Sequence, residues 1–131
     1  MLETSGKFRV TAWNEQPCPD MGSGRKFTRS TVKRVYSGSL TGEGSVEYVM
    51  YYLNENESCF IGMELFEGTM AGKPGTVVLQ HDGRFKDGIA MSDWIVAPGS
   101  GTGALKDIKA KGRYKTLNHD EAAYEFSFTT E

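Results

Sequence analysis

The amino-acid sequence predicts an all-β domain, an eight-stranded antiparallel barrel closed on itself. Three features point there. Runs of about six to eleven residues rich in Val, Tyr, Phe, Thr and Ile alternate apolar with polar side chains, while helical periodicity is almost absent. Most runs end at Gly, Pro, Asn or Asp, in segments short enough for tight antiparallel turns. Glycines recur near run ends, where a sheet has to bend or bulge in order to close. Closure also removes the two unpaired edges that an open meander would expose.

The first run, Lys7–Trp13, precedes the turn-prone QPCPDMGSG, whose prolines Pro17 and Pro19 favour a kink. Asp20 to Gly24 reads as a connection, with a lid over one barrel mouth as the alternative. Thr28–Ser37 and Ser45–Leu53 follow. NENE at 54–57 leads into Ser58–Glu67, and AGKPG at 71–75 into Thr76–Phe85. Asp87-Gly88 is the strongest hairpin signal, because both central positions of such a turn take positive φ. It leads to Ile89–Ala97. A glycine-rich connection then reaches Lys109–Leu117, and NHDE at 118–121 leads to the last run, Ala122–Thr130. YSGSLTGEGSVEY and FEGTMAGKPGTVV echo each other through Gly38/Gly42 and Gly68/Gly72. Two copies are too few for a solenoid, so the echo reads as repeated hairpin geometry.

At 131 residues the chain suits one domain with a substantial core. Fifteen basic residues nearly balance seventeen acidic ones, so the electrostatic footprint of a nucleic-acid binder is missing. In the basic cluster Arg25, Lys26, Arg29, Lys33 and Arg34, strand spacing puts Arg29 and Lys33 on one face and Arg34 on the other. The cluster reads as a solvated strand surface. No apolar run approaches the ~20 residues of a membrane-spanning helix, so no membrane partner is expected. MLETSGKF carries neither a basic n-region nor an apolar h-region, and Cys18 and Cys59 lack metal-binding spacing. A cytoplasmic protein with two free thiols is the expectation. His81 and His119 are far apart, and no metal or other cofactor is expected.

VAPGSGTGALKDIKAKG, Val96 to Gly112, invites a phosphate-binding reading through Gly99, Gly101 and Gly103. It satisfies neither the Gly-x-x-x-x-Gly-Lys-[Ser/Thr] loop nor the Gly-x-Gly-x-x-Gly fingerprint, and only ALKDIK follows, enough for one helical turn. Ser100 has no histidine nearby in sequence and is not read as a nucleophile. The run is a bend between strands, with Leu105 and Ile108 plugging a barrel end.

PGSGTGALKDIKAKG resembles the corresponding segment of allene oxide cyclase-like and dirigent-like barrels. Through VKRVYSGSLTGEGSVEYVM, CFIGMELFEGTMAGKPGTVVLQHDGRF and DWIVAPGSGTGALKDIKAKG, the chain more closely resembles a bacterial domain family of unknown function with that barrel. The resemblance spans nearly all of residues 6–130. It implies an eight-stranded antiparallel barrel with room for a central cavity, and carries no catalytic residue set. The distant cyclase and dirigent relatives imply a small lipophilic or aromatic ligand, on fold analogy alone.

Turn positions suggest a register. A two-residue turn at Asp87-Gly88 pairs Lys86 with Ile89 and sets His81 opposite Trp94; turns across NENE and AGKP bring Glu47 near Glu64 and Glu64 near His81. One face then carries Glu47, Val49, Tyr51, Phe60, Glu64, Phe66, Leu79, His81 and Trp94. The other carries Tyr48, Met50, Ile61, Met63, Leu65, Val78, Gln80, Asp93 and Ile95. Both faces are apolar, which predicts that part of the outside is covered by further copies of the chain, as a homo-oligomer.

Three functional classes follow. The first is a small-molecule-binding barrel, with Glu47, Tyr51, Phe60, Phe66 and Trp94 as contacts and Gln80 joining them from the alternative register. The second is an isomerase or cyclase using Glu64 and His81 as acid and base, since a carboxylate beside an imidazole shifts both pKa values. The third is a structural or interaction protein whose barrel is filled by its own side chains. A hollow interior supports the first two, and a filled one the third.

Overall fold

The computed structural model describes residues 2–20, 25–118 and 120–129. The eight strands stand in the expected order: β1 (Leu2–Asp20), β2 (Lys26–Gly38), β3 (Leu40–Asn54), β4 (Glu57–Met70), β5 (Lys73–Lys86), β6 (Ile89–Val96), β7 (Lys109–Thr116) and β8 (Glu121–Thr129). Each runs antiparallel to the next, and β8 pairs with β1 to close the barrel. A single 3₁₀ turn, Gly103–Leu105, interrupts the β6–β7 connection.

The largest departure from expectation is β1. It continues through Pro17 to Asp20 where the sequence suggested a kink. Its ladder with β8 ends at Arg9↔Glu121; Val10 N–H still donates to the Asp120 carbonyl at 2.8 Å, and beyond that β1 follows β2 alone. A strand with one neighbour tolerates proline, whose missing N–H is needed only on a paired side. Met21–Gly24, and with them the lid reading, lie outside the described residues, as does His119.

Turn chemistry sets each register. Asp87 (φ 51°) and Gly88 (φ 85°) form the expected tight turn, with Lys86↔Ile89 and His81↔Trp94. The β4–β5 turn uses only Ala71 (φ 50°) and Gly72 (φ 82°), which pairs Glu64 with Leu79 and Gly62 with His81. Glu64 and His81 therefore lie diagonally on one face instead of opposite each other. The β3–β4 hairpin holds the one reversal. Asn54 pairs with Glu57, but Leu53 is an extra residue, so Tyr52 pairs with Ser58, Val46 with Glu64 and Glu47 with Met63. Strand side chains alternate with period two, so this slip turns β3 over. Val46, Tyr48 and Met50 point inward; Glu47, Val49 and Tyr51 point outward.

The glycine echo closes one barrel end. Gly42 and Gly68 sit directly opposite each other at φ 145° and 155°, where a Cβ on either would strike the facing strand's carbonyl. The β2–β3 and β4–β5 turns are then tied by Ala71 N–H donating to the Ser39 carbonyl at 2.8 Å. At the same end the Gly99–Gly103 run folds back, and Leu105 and Ile108 are buried with Leu40 and Met70 in the larger apolar cluster. Val32, Val46, Tyr48, Met50 and Phe60 form a second, smaller cluster. Between them lies a layer of buried polar and charged side chains.

Candidate functional site

The interior contains a layer of charged and hydroxylic groups. Alternation along β2 sends Val32, Arg34 and Tyr36 inward, while Arg29 and Lys33 face solvent. β4 contributes Glu64, β5 His81, β3 Tyr48, β6 Ser92 and β7 Tyr114, all buried. Glu64 Oε1 accepts from Arg34 Nη1 at 3.1 Å and from His81 Nε2 at 2.6 Å; its Oε2 accepts from the Tyr36 hydroxyl at 2.6 Å. Arg34 Nη2 donates to the Tyr48 hydroxyl and, at 3.4 Å, to that of Tyr114; the two hydroxyls are 2.8 Å apart. The guanidinium also lies over the Phe8 ring, 4.3 Å from its centroid. Gly44 makes room for this layer, since a Cβ there would strike the Glu64 carboxylate and lie 3.0 Å from the Tyr36 ring.

Charge states follow from these contacts. Burial alone pushes the Glu64 carboxyl up, but the Arg34 charge, the His81 hydrogen bond and charge, and the Tyr36 hydroxyl outweigh it and hold the group below the usual carboxylate range. For His81 burial dominates, and its pKa falls despite Glu64. Burial opposes the charge on Arg34, yet Tyr48, Glu64, Tyr114 and Tyr36 hold its pKa well above the ordinary value. Burial likewise raises Tyr36 and Tyr48. At neutral pH the layer is thus an Arg34–Glu64 ion pair with a neutral imidazole. A carboxylate only accepts, so His81 carries its proton on Nε2. Its Nδ1 faces the Ser92 hydroxyl at 3.4 Å.

This arrangement is weak acid–base chemistry and strong cross-bracing. Glu64 has no exposed surface, is committed to three donors and has a lowered pKa, the opposite of a carboxyl poised to exchange protons near neutrality. The same bonds join β2, β3, β4, β5 and β7 across the barrel. Among the described residues two buried side-chain polar atoms have no hydrogen-bond partner, Arg34 Nε and Ser58 Oγ.

Of the other expected site residues, Phe60, Phe66 and Trp94 do point inward, where they pack on the rings of Tyr48, Tyr36 and Phe126 at centroid distances of 5.0, 5.4 and 5.8 Å. Glu47, Tyr51 and Gln80 lie on the outward face. Glu47 accepts from the Thr31 hydroxyl at 3.2 Å, Tyr51 packs on Phe27, and Gln80 lies between Met63 and Ile95. Arg34, Tyr36 and Tyr114 are the network members that sequence reasoning missed, while Tyr48 was expected inside only in the alternative register. For Arg34 the signal was there: it shares its strand face with Val32 and Tyr36. Ser100 is structural, its Oγ accepting from Val78 N–H at 3.1 Å. Cys59 is an exposed free thiol.

The outward face carries its own pattern. Val49, Ile61, Met63, Leu65 and Ile95 are all exposed, Ile61 by 61%. Val49 pairs with Ile61, while Gln80 joins Met63 to Ile95, so the residues form one patch across β3 to β6. Among the described residues no three of His, Cys, Asp and Glu gather as metal ligands, and no helix is long and apolar enough to cross a membrane.

Fold and interior together define a closed eight-stranded antiparallel β-barrel protein, ion-paired at its centre. The family model for DUF3224, described as a protein of unknown function, matches residues 4–128, and the chain belongs to that family. It is similar in fold to the crystal structure of a protein with unknown function from the DUF3224 family of Shewanella oneidensis MR-1. That likeness has a TM-score of 0.78 and 24% identity, and covers 100% of this chain and 98% of that one. No curated protein matches the chain.

Proposed function

We propose that the protein is an interaction module, a barrel filled by its own side chains whose outward β3–β6 face binds another protein surface. The observation that carries this is the exposed apolar patch of Val49, Ile61, Met63 and Leu65 on β3 and β4, with Ile95 beyond Gln80. Isolated exposed apolar residues are ordinary, whereas a cluster rimmed by polar groups marks a contact surface. Methionine oxidation tests it. Met63 and Met91 are 50% and 52% exposed, so peroxide should oxidise them alike in the free chain. In a native extract of the producing organism, Met63 should be protected relative to Met91, which lies on β6 at the border of the patch. Equal oxidation in the extract overturns the proposal.

One observation favours a second reading. Arg34 Nε and Ser58 Oγ are buried and unpartnered, and each such group costs about 1–3 kcal/mol unless something satisfies it. A small lipophilic or aromatic molecule bearing a polar group would supply a partner, but packed aromatic rings would have to move to admit it. Native mass spectrometry of the protein from its own host tests this, with a retained small molecule as the supporting result and the bare polypeptide mass as the refuting one.

A further inference from the structure

We propose that the edge of β1 over Thr11–Gln16 takes an extended peptide segment of another protein as an added strand, a contact separate from the outward β3–β6 face. The barrel wall is incomplete there. β8 pairs with β1 from Leu2↔Phe128 to Arg9↔Glu121, and the bond from Val10 N–H to the Asp120 carbonyl is the last rung. Beyond that rung lies the turn from β7, whereas β1 runs on along β2 to Asp20. Thr11–Gln16, about 20 Å of strand, therefore has a neighbour on one side only. Among the described residues no backbone bond reaches its other edge. Such an edge presents N–H and C=O groups at the spacing of a strand, which another extended backbone matches group for group.

The edge is held in place and carries a side chain that can read its occupant. Thr11 is an extra residue between the Val10↔Arg34 and Ala12↔Lys33 pairs, a bulge that shifts the alternation by one. Trp13 and Glu15 therefore share the inner face with Val32 and Ser30, to which they are paired. Glu15 accepts from the Thr28 hydroxyl at 2.5 Å and the Tyr52 hydroxyl at 2.6 Å, which fixes the extension to β2 and β3 before anything binds. Trp13 is 50% exposed, because β8 ends before it could cover the indole. A strand added in line with β8 would set one of its inner-face side chains beside Trp13, a position suited to an apolar or aromatic residue.

A second copy of β1 does not fit this place. Paired antiparallel about the middle of Thr11–Gln16, its Pro17–Asp20 would run on over Val10 and Arg9, where Asp120 and Glu121 already stand. Slid clear of them, the ladder would have to hold Pro17 and Pro19 of both chains, which cannot donate. A segment of another protein carries neither constraint.

Panning a random library of roughly twelve-residue peptides against the purified full chain tests the proposal. The enriched peptide should slow hydrogen exchange at the edge-facing amides of Thr11–Gln16 by about tenfold or more. N-methylation at alternate residues of that peptide should abolish binding in one phase of the alternation and spare it in the other, because only every second N–H of an added strand faces β1. Trp13→Ser should weaken binding by about tenfold or more through the lost indole surface, with the chain still folded by far-ultraviolet circular dichroism. No enriched peptide, protection confined to other strands, the same result from both methylated series, or full binding to Trp13→Ser each overturns it. So does slow exchange at every amide of Thr11–Gln16 in the peptide-free chain, which would mean that the edge is already covered.

Discussion

Glu64→Gln removes one charge from the centre of the barrel and nearly nothing else. The amide keeps the volume of the carboxylate. With its oxygen in the Oε1 position it still accepts from Arg34 and His81, and the Tyr36 hydroxyl can turn to accept from the new amide group. What is lost is the negative charge 3.1 Å from a guanidinium that is itself buried. Breaking a buried pair by removing one partner costs about 3–5 kcal/mol, because the remaining charge is left unpaired away from water. A domain has about 5–15 kcal/mol in total, so this is a large fraction. With a urea slope of about 2 kcal/mol per molar, the midpoint should fall by roughly 1.5–2.5 M. Replacing both partners by apolar groups, as in Arg34→Met with Glu64→Leu, removes the unpaired charge but leaves the His81 N–H and the Tyr36 hydroxyl without their acceptor at about 1–3 kcal/mol each, so it should not restore the parent's stability. A Glu64→Gln midpoint within about 0.5 M of the parent refutes the account.

Acid should destabilise the protein in two steps. His81 and Glu64 both have lowered pKa values, so on the acid side the unfolded chain binds more protons than the folded one, and stability falls with pH. The His81 part is lost as pH drops below the ordinary histidine value of about 6.5, and the Glu64 part only as its carboxylate is forced to protonate below the usual carboxylate range. Thermal melts between pH 7 and 5 should show the first step, and His81→Gln should flatten it; an unchanged slope refutes the assignment. Tyr124→Phe should cost about 1–3 kcal/mol in urea titrations by leaving Leu40 N–H unpaired, because the hydroxyl accepts that bond at 2.7 Å and donates to the Ser37 carbonyl at 2.7 Å. Gly44→Ala should cost about 1–3 kcal/mol by pushing the Glu64 carboxylate and Tyr36 apart, and an unaltered melting temperature would show that the layer has slack.

Much of the barrel was legible because its signals are local. Period-two alternation located the eight strands, and Asp87-Gly88 gave its own register. Gly99, Gly101 and Gly103 read as a bend for reasons the backbone bears out. Gly99 and Gly103 sit at φ 82° and 60°, and a Cβ on Gly101 would collide with the Leu105 carbonyl. Other features are not local. Whether Pro17 breaks a strand depends on whether β8 still lies beside it, and residue types at 17–20 say nothing of that. Leu53 is an unremarkable strand residue, yet as the extra residue of a bulge it turned Glu47 and Tyr51 outward and Tyr48 inward.

The candidate site divides the same way. Sequence alone determined that Glu64 and His81 share a face with Phe60, Phe66 and Trp94, because alternation within β4 and β5 is intrinsic to those strands and the two-residue difference in register preserved it. It also determined that both sheet faces are apolar. Only the tertiary structure decided that Arg34 completes the pair, because a cation on β2 reaches a carboxylate on β4 only across β3, in the register that sets Arg34 beside Gly44. Closure likewise decided which apolar face became core and which was left facing solvent. A strand carries its periodicity within itself, but inside and outside exist only after the sheet has curved back on its first strand.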